Sequence, residues 1–433
     1  MNKTIYLFLI FIIFSSCSFN KNSKFWKSGN LEIEETKNYK EIFPNEEVLK
    51  KEFNSNLKLK IKSKNLIQTT SENYLNNYGS INFDRIPKKV SNYKFSKIKN
   101  FDQYQPEILF YKNNVIFFEN KGSILKFDDK KKLLWKKNYY SKSEKKSNPI
   151  LQFTNNKNHL VVADNLSKYY MLDIRSGDLI WSKKNIAPFN SQIKIYQDKF
   201  FAIDILNTLR CFSMKDGVEL WNIKTENSLA RSQKKNSLII VDEIIYFVNS
   251  IGDVSAVELN SGELLWQLPT QSNLINDTSF TLQNSDIISD KNSIFFSNNK
   301  NQFFSIDIKT GSFNWENKIN SNLRSTLIDK YILSISIEGF LIITEKNSGN
   351  IIRVNDIFKS FKIKKRTKIK PTGFIVGTNN IYLSTSNGRL LVIDIYSGKI
   401  ITVLKIDNEK ITKPFIQNNN LFLMKKNSIT QLN

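Results

Sequence analysis

Few residues in this chain could carry out chemistry. In 433 residues there are one histidine, His159, and two cysteines, Cys17 and Cys211. A catalytic imidazole needs a nucleophile or carboxylate held against it, and "NNKNHLVVAD" (155–164) points to no such partner, so His159 reads as a strand or loop histidine. A single histidine also excludes paired-histidine zinc motifs, and the sequence has no C-x-x-C, no phosphate-cradling P-loop and no Gly-x-Ser-x-Gly elbow. Cys211, inside the alternating apolar stretch "TLRCFSM", reads as a buried, inert thiol. The recurring carboxylates fall at fixed positions in turns, where an oxygen caps a backbone N–H; an acid/base pair would not repeat in this way. The expectation is a protein with no enzymatic activity, no metal and no cofactor.

The N-terminus carries the one modification the sequence suggests. "MNKTIYLFLIFIIFSSC" has a positive start at Lys3, an apolar run from Ile5 to Phe14 and two serines before Cys17. That is a secretory signal, too short to span a bilayer as a helix. Its small-small-Cys ending resembles the lipobox of bacterial lipoproteins, with Phe14 where an aliphatic residue is usual, and this implies acylation of Cys17. An acylated Cys17 cannot pair with Cys211, so no disulfide framework is expected. Residues 1–16 are then a signal peptide, and 17–56 a lipidated cysteine with a flexible tether, including a short helix around Glu46–Phe53. The tether reaches on the order of 100 Å at roughly 3.3 Å per residue. Ser18, by the sorting rule of enteric bacteria, favours the outer membrane, with the body facing the periplasm. The formal charge of +24 is spread along the chain, which reads as a solvated surface, with attraction to anionic lipid or an acidic partner as the alternative. Export removes the protein from nucleic acid.

Residues 57–433 are built on a repeat. "LDIRSGDLIW" (172–181), "FSMKDGVELW" (212–221), "VELNSGELLW" (257–266) and "IDIKTGSFNW" (306–315) align on their glycines. "TEKNSGNIIR" (344–353) and "IDIYSGKIIT" (393–402) lack the tryptophan, and "KFDDKKKLLW" (126–135) lacks the glycine. Seven copies at 38- to 49-residue spacing indicate a propeller or solenoid. Before each glycine stand two short β-branched or aromatic runs separated by a polar break, as in "NIYLSTSNGRLLV", and these read as strand, turn, strand. With the strand after the glycine and a first strand near Pro106, Pro149, Pro188 and Pro371, each unit has four strands, a propeller blade.

Gly177, Gly217, Gly262, Gly311, Gly349 and Gly398 supply the positive φ of the hairpin, and Asp173, Asp307 and Asp394 cap it. Trp135, Trp181, Trp221, Trp266 and Trp315 are expected to dock each blade on its neighbour, burying of order 200 Å² each. The C-terminal "PFIQNNNLFLMKKNSITQLN" (414–433) holds only three strands of a unit, so a run such as "SNYKFSKI" (91–98) must supply the fourth. The fold class is therefore all-β, an eight-bladed propeller of four-stranded antiparallel blades closed by an N-terminal strand, with seven blades as the alternative count.

The pattern Asp-x-x-[Ser/Thr]-Gly-x-x-x-Trp, clean at 173–181 and 307–315, resembles the repeat of the pyrroloquinoline-quinone-type propellers. Behind a lipoprotein signal, at this length, it is similar to the BamB family of outer-membrane assembly factors, over roughly residues 100–433. That resemblance implies a monomeric, cofactor-free scaffold of the outer-membrane β-barrel assembly machinery, with a BamA-like protein and other lipoproteins of the complex as partners. The other branch of the repeat family comprises quinone- and calcium-dependent dehydrogenases, which carry a vicinal Cys-Cys absent here; a carbohydrate-binding envelope lipoprotein is a further alternative. The resemblance places the partner contact at Leu229 and Arg231 in "ENSLARSQKK". The acidic residues that should follow are missing from "SFTLQNS" (279–285), Asp277 being the nearest.

Overall fold

The structure, a computed structural model, describes residues 51–62, 64, 66–67, 77, 79–99, 101, 106–226, 232, 234–271 and 282–433. These residues form eight four-stranded antiparallel sheets arranged as a propeller, together with a two-stranded parallel pair, Leu66–Ile67 with Ser80–Ile81. Blades 1 to 7 span residues 109–137, 151–184, 194–224, 238–268, 288–317, 326–356 and 371–405. Blade 8 combines Phe415–Gln417, Asn420–Lys425 and Ser428–Leu432 with Lys89–Lys94 as its fourth strand. The closing strand is thus N-terminal, as the sequence predicts, but it begins two residues earlier and its regular pairing ends at Lys94. Beyond that point Phe95 and Ile98 still donate to Asn427 O and Lys426 O.

Strand periodicity explains why the blades assemble. The middle strands are buried on both faces, so they read as near-continuous apolar runs such as "KFFAI" (199–203) and "IIYFV" (244–248). Successive side chains point to opposite faces, and each face meets a different neighbour. Phe200, Ala202 and Phe212 pack toward blade 2, while Phe201, Ile203 and Cys211 pack toward blade 4. The buried core divides into eight apolar clusters, one at each interface between adjacent blades. The last interface, between blades 8 and 1, includes Tyr93 from the closing strand.

Outer strands have one face in solvent and alternate accordingly, as in Glu219–Lys224 and Ile400–Lys405. The N-terminal segment does not simply lead into the ring. Phe53, at the end of the expected short helix, pairs antiparallel with Val354 on the outer edge of blade 6. Leu59 donates to Tyr396 O of blade 7.

Candidate functional site

Each glycine turn is built alike. Asp173 Oδ1 accepts from the N–H groups of Arg175 (2.8 Å) and Ser176 (2.9 Å), and Asp307 Oδ1 from those of Lys309 (3.0 Å) and Thr310 (2.8 Å). Asp394 Oδ1 accepts from Ser397 N (2.7 Å), and Glu258 takes the same role in its own turn. The six repeat glycines all have φ between +70° and +77°. Lys131 holds φ +66° at the position where the first copy lacks glycine.

The tryptophans lie against these turns. A Cβ built on Gly217, Gly262 or Gly311 would sit 2.7 Å from a ring atom of Trp181, Trp221 or Trp266, each from the preceding blade. Gly177 meets Trp135 and Gly349 meets Trp315 in the same way. Each indole N–H then donates to the carbonyl one residue after the capping position: Trp181 to Met214 (3.0 Å), Trp221 to Leu259 (3.2 Å), Trp266 to Ile308 (3.2 Å) and Trp315 to Lys346 (2.9 Å). Glycine at this position thus serves both the turn and the close approach of a ring.

Two junctions use other donors to the same carbonyl. At blades 1 and 2 the Trp135 indole is without a partner, and Lys126 Nζ donates to Ile174 O at 2.8 Å. At blades 6 and 7 Arg353, fully buried, stands where the tryptophan would be. It donates to Ile395 O (3.1 Å), to Tyr396 O and to Leu57 O (2.9 Å), and Asn355 rather than a ring covers Gly398. Burial pulls the Arg353 guanidinium down to about 10, which leaves it charged at neutral pH.

The outer strands carry an exposed apolar belt. Met171 pairs with Trp181 but Leu172 with Leu179, so a bulge at Ile180 presents consecutive residues to solvent. Leu179 and Ile180 are 43% and 46% exposed, and Leu133, Leu134, Leu264, Leu265 and Phe313 occupy equivalent places. On blade 6 the corresponding strand is covered by the chain's own residues. Phe53 N donates to Val354 O (3.1 Å) and Val354 N to Phe53 O (2.8 Å), while Glu52 pairs with Lys359 at 2.7 Å. The outer edge of this blade thus takes a backbone partner at one residue.

At the channel mouth, where the inner strands begin, charged residues converge on a cavity of about 110 Å³. Glu107 bridges Lys413 (2.8 Å) and Lys235 (3.1 Å); burial alone would raise its pKa, but the two ammoniums hold it well below the usual carboxylate range. Asp286 is likewise lowered against its burial by Lys413, Lys234, Arg324 and Lys235. Burial pulls Lys194 down to about 7 and Lys234 to about 8. Lys194 Nζ donates to Asn77 Oδ1 at 3.0 Å, and Asn77 Nδ2 to Ile287 O at 2.9 Å, so the N-terminal chain reaches into the channel. Lys234 Nζ donates to Asn284 O and Asn322 O and ties three inter-blade connections together.

Sequence reasoning missed this charged ring. Its signal is positional: Glu107, Lys194, Lys234, Asp286, Arg324 and Lys413 all stand at or just before the first strand of a blade, as in "PEILF", "QIKIY" and "SDIIS". Cys211 is buried and free, its thiol pushed up to about 12 by desolvation. His159 begins the second strand of blade 2, half-buried, its backbone N–H on Asn156 Oδ1. Cys17, Leu229, Arg231 and Asp277 lie outside the described residues. Among the described residues no group of three His, Cys, Asp or Glu is placed to hold a metal ion.

The family model described as outer membrane protein assembly factor BamB matches residues 120–355. Among solved structures, BamB from Moraxella catarrhalis superposes with a TM-score of 0.64 at 15% identity, covering 80% of this chain and 99% of that one. The quinohemoprotein alcohol dehydrogenase ADHIIG from Pseudomonas putida HK5 gives 0.60 at 9% identity, covering 82% and 78%. The computationally designed Ika8 protein gives 0.58 at 16%, covering 78% and 98%. At these identities the likenesses establish the fold. No curated protein matches the sequence significantly.

Proposed function

The chain belongs to the outer membrane protein assembly factor BamB family, and on that premise we propose that it is a non-enzymatic scaffold of outer-membrane β-barrel assembly. In this reading Cys17 is acylated and anchors the protein to the outer membrane, and the propeller faces the periplasm. It docks on a BamA-like protein beside the other lipoproteins of that machinery and assists barrel insertion. The connection containing Leu229 and Arg231 is the proposed docking element.

The observation that carries the reading is the covered edge of blade 6. There one residue of the N-terminal chain has bridged to an outer strand through a reciprocal pair of backbone hydrogen bonds, Phe53 with Val354. Blades 1, 2 and 4 repeat the exposed apolar pair of the outer strand, and blades 3 and 5 keep one member of it, Leu220 and Phe313. Such edges take up extended segments by β-augmentation, with main-chain bonds giving affinity and alternate side chains giving selectivity. The channel mouth supports the same reading, because its described carboxylates, Glu107 and Asp286, are already engaged by lysine and arginine.

The test is affinity purification of the full-length chain, tagged at its C-terminus, from detergent-solubilised envelopes, with mass spectrometry of the eluate. The reading expects a BamA-like barrel protein and its lipoproteins in near-stoichiometric amounts. A propeller recovered alone would overturn it.

A further inference from the structure

We propose that the channel mouth is a binding site for a compact multivalent oxyanion, a phosphate or a small di- or tricarboxylate. Lys194, Lys235, Arg324 and Lys413 line the cavity together with a single carboxylate, Glu107. Glu107 engages Lys235 and Lys413. Asp286, the other nearby carboxylate, acts on Lys194 and Arg324 but also on a further cation, Lys234. Among the described residues the site therefore keeps an excess of positive charge after its facing carboxylates are counted.

One of those cations is held in place. Lys194 is 6% exposed and its ammonium is fixed by Asn77, which is itself pinned to Ile287 O. Arg324 lines the cavity, and its guanidinium makes no hydrogen bond or ion pair among the described residues. A guanidinium fork is matched in shape by the paired oxygens of a carboxylate or phosphate. Desolvation first, and the neighbouring Arg324 charge second, pull Lys194 down to about 7, and an anion between these cations offsets the repulsive part of that cost.

The cavity of about 110 Å³ equals roughly eight water-sized volumes at about 10–15 Å³ each. That accommodates a phosphate or a small di- or tricarboxylate. Its low dielectric surroundings strengthen each charge contact relative to the surface lysines elsewhere on the chain.

Isothermal titration and thermal unfolding of the full-length chain in detergent provide the test, with sodium phosphate, malonate and citrate as probes and sodium chloride at matched ionic strength as reference. The expected result is saturable binding of at least one probe and a rise of a few degrees in Tm that chloride does not reproduce. Phosphate alone would assign a phosphoryl ligand, and the carboxylates alone a carboxylate ligand. Arg324→Gln, which removes a group that makes no hydrogen bond or ion pair among the described residues, should change the unliganded Tm little and weaken binding at least tenfold. Equal shifts from chloride, or equal binding by Arg324→Gln, would mean an adventitious ion only and would overturn the proposal.

Discussion

Gly311 and Trp266 form one contact seen from two blades, and their substitutions should not add. Alanine at Gly311 puts a Cβ into a φ of +73° and against the indole, at an expected cost of about 2–4 kcal/mol. Trp266→Ala removes ring packing and the bond to Ile308 O, at about 3 kcal/mol. In the double variant the new methyl enters space the ring has left, so denaturant unfolding should show a loss well below the sum. Arg353→Ala removes three donations to backbone carbonyls, leaving the buried Ile395 O without this donor while Tyr396 O keeps the Leu59 N–H, and should cost about 3–5 kcal/mol. It should also speed proteolysis near Leu57. Cys211, with its thiol held up to about 12 in the blade 3–4 interface, should resist alkylation in the native state and react at once in denaturant. The glycines, caps and tryptophans were legible from their repetition. Lys126 and Arg353 were not, because a carbonyl at a blade junction accepts from any donor of sufficient reach and leaves no fixed residue type to find.

At the level of strands, the ring depends on Lys89–Lys94 pairing with Ser428–Leu432. Tyr93→Ala empties a buried site between blades 8 and 1 and should cost about 3–5 kcal/mol, seen as one cooperative transition at lower denaturant. The need for this strand followed from the three-stranded C-terminus, but its bounds did not. Tyr93 and Phe95 continue one alternation, and what ends the ladder is the tight turn at Lys426 and Asn427, which bonds to Phe95 and Ile98 outside regular register. The outer strands make a second prediction. Leu179→Lys with Ile180→Lys alters only half-exposed positions and should move Tm by no more than a degree or two while reducing recovery of partner proteins. The bulge that turns both residues outward was invisible in the sequence, since strict alternation would have buried one of them.

For the molecule as a whole, the channel mouth couples stability to pH. Glu107 and Asp286 have folded-state values below those of an unfolded chain, so the stability they contribute is present above about pH 4 and is lost as the pH falls through their lowered values. Lys194 has the same sign of pH dependence at higher pH, but its burial is a cost rather than a gain. Its value near 7 means the folded state binds fewer protons than the unfolded state between pH 7 and about 10, so this group alone makes stability rise across that range. Lys194→Met should therefore be more stable relative to wild type at pH 6 than at pH 9.5, as chemical denaturation at the two pH values would show. The closed ring, with its edges exposed and one of them covered by the chain itself, is the physical basis for reading the protein as a scaffold. The measurement that tests this most directly is photo-crosslinking in intact envelopes from a photoreactive residue placed at Ile180 or Leu265. The account predicts a covalent adduct with the BamA-like barrel protein or with a barrel precursor at these positions, and none from a photoreactive residue at Lys157 in the short turn between the first two strands of blade 2. Absence of any adduct from the outer strands, with the protein at its normal level, would contradict it.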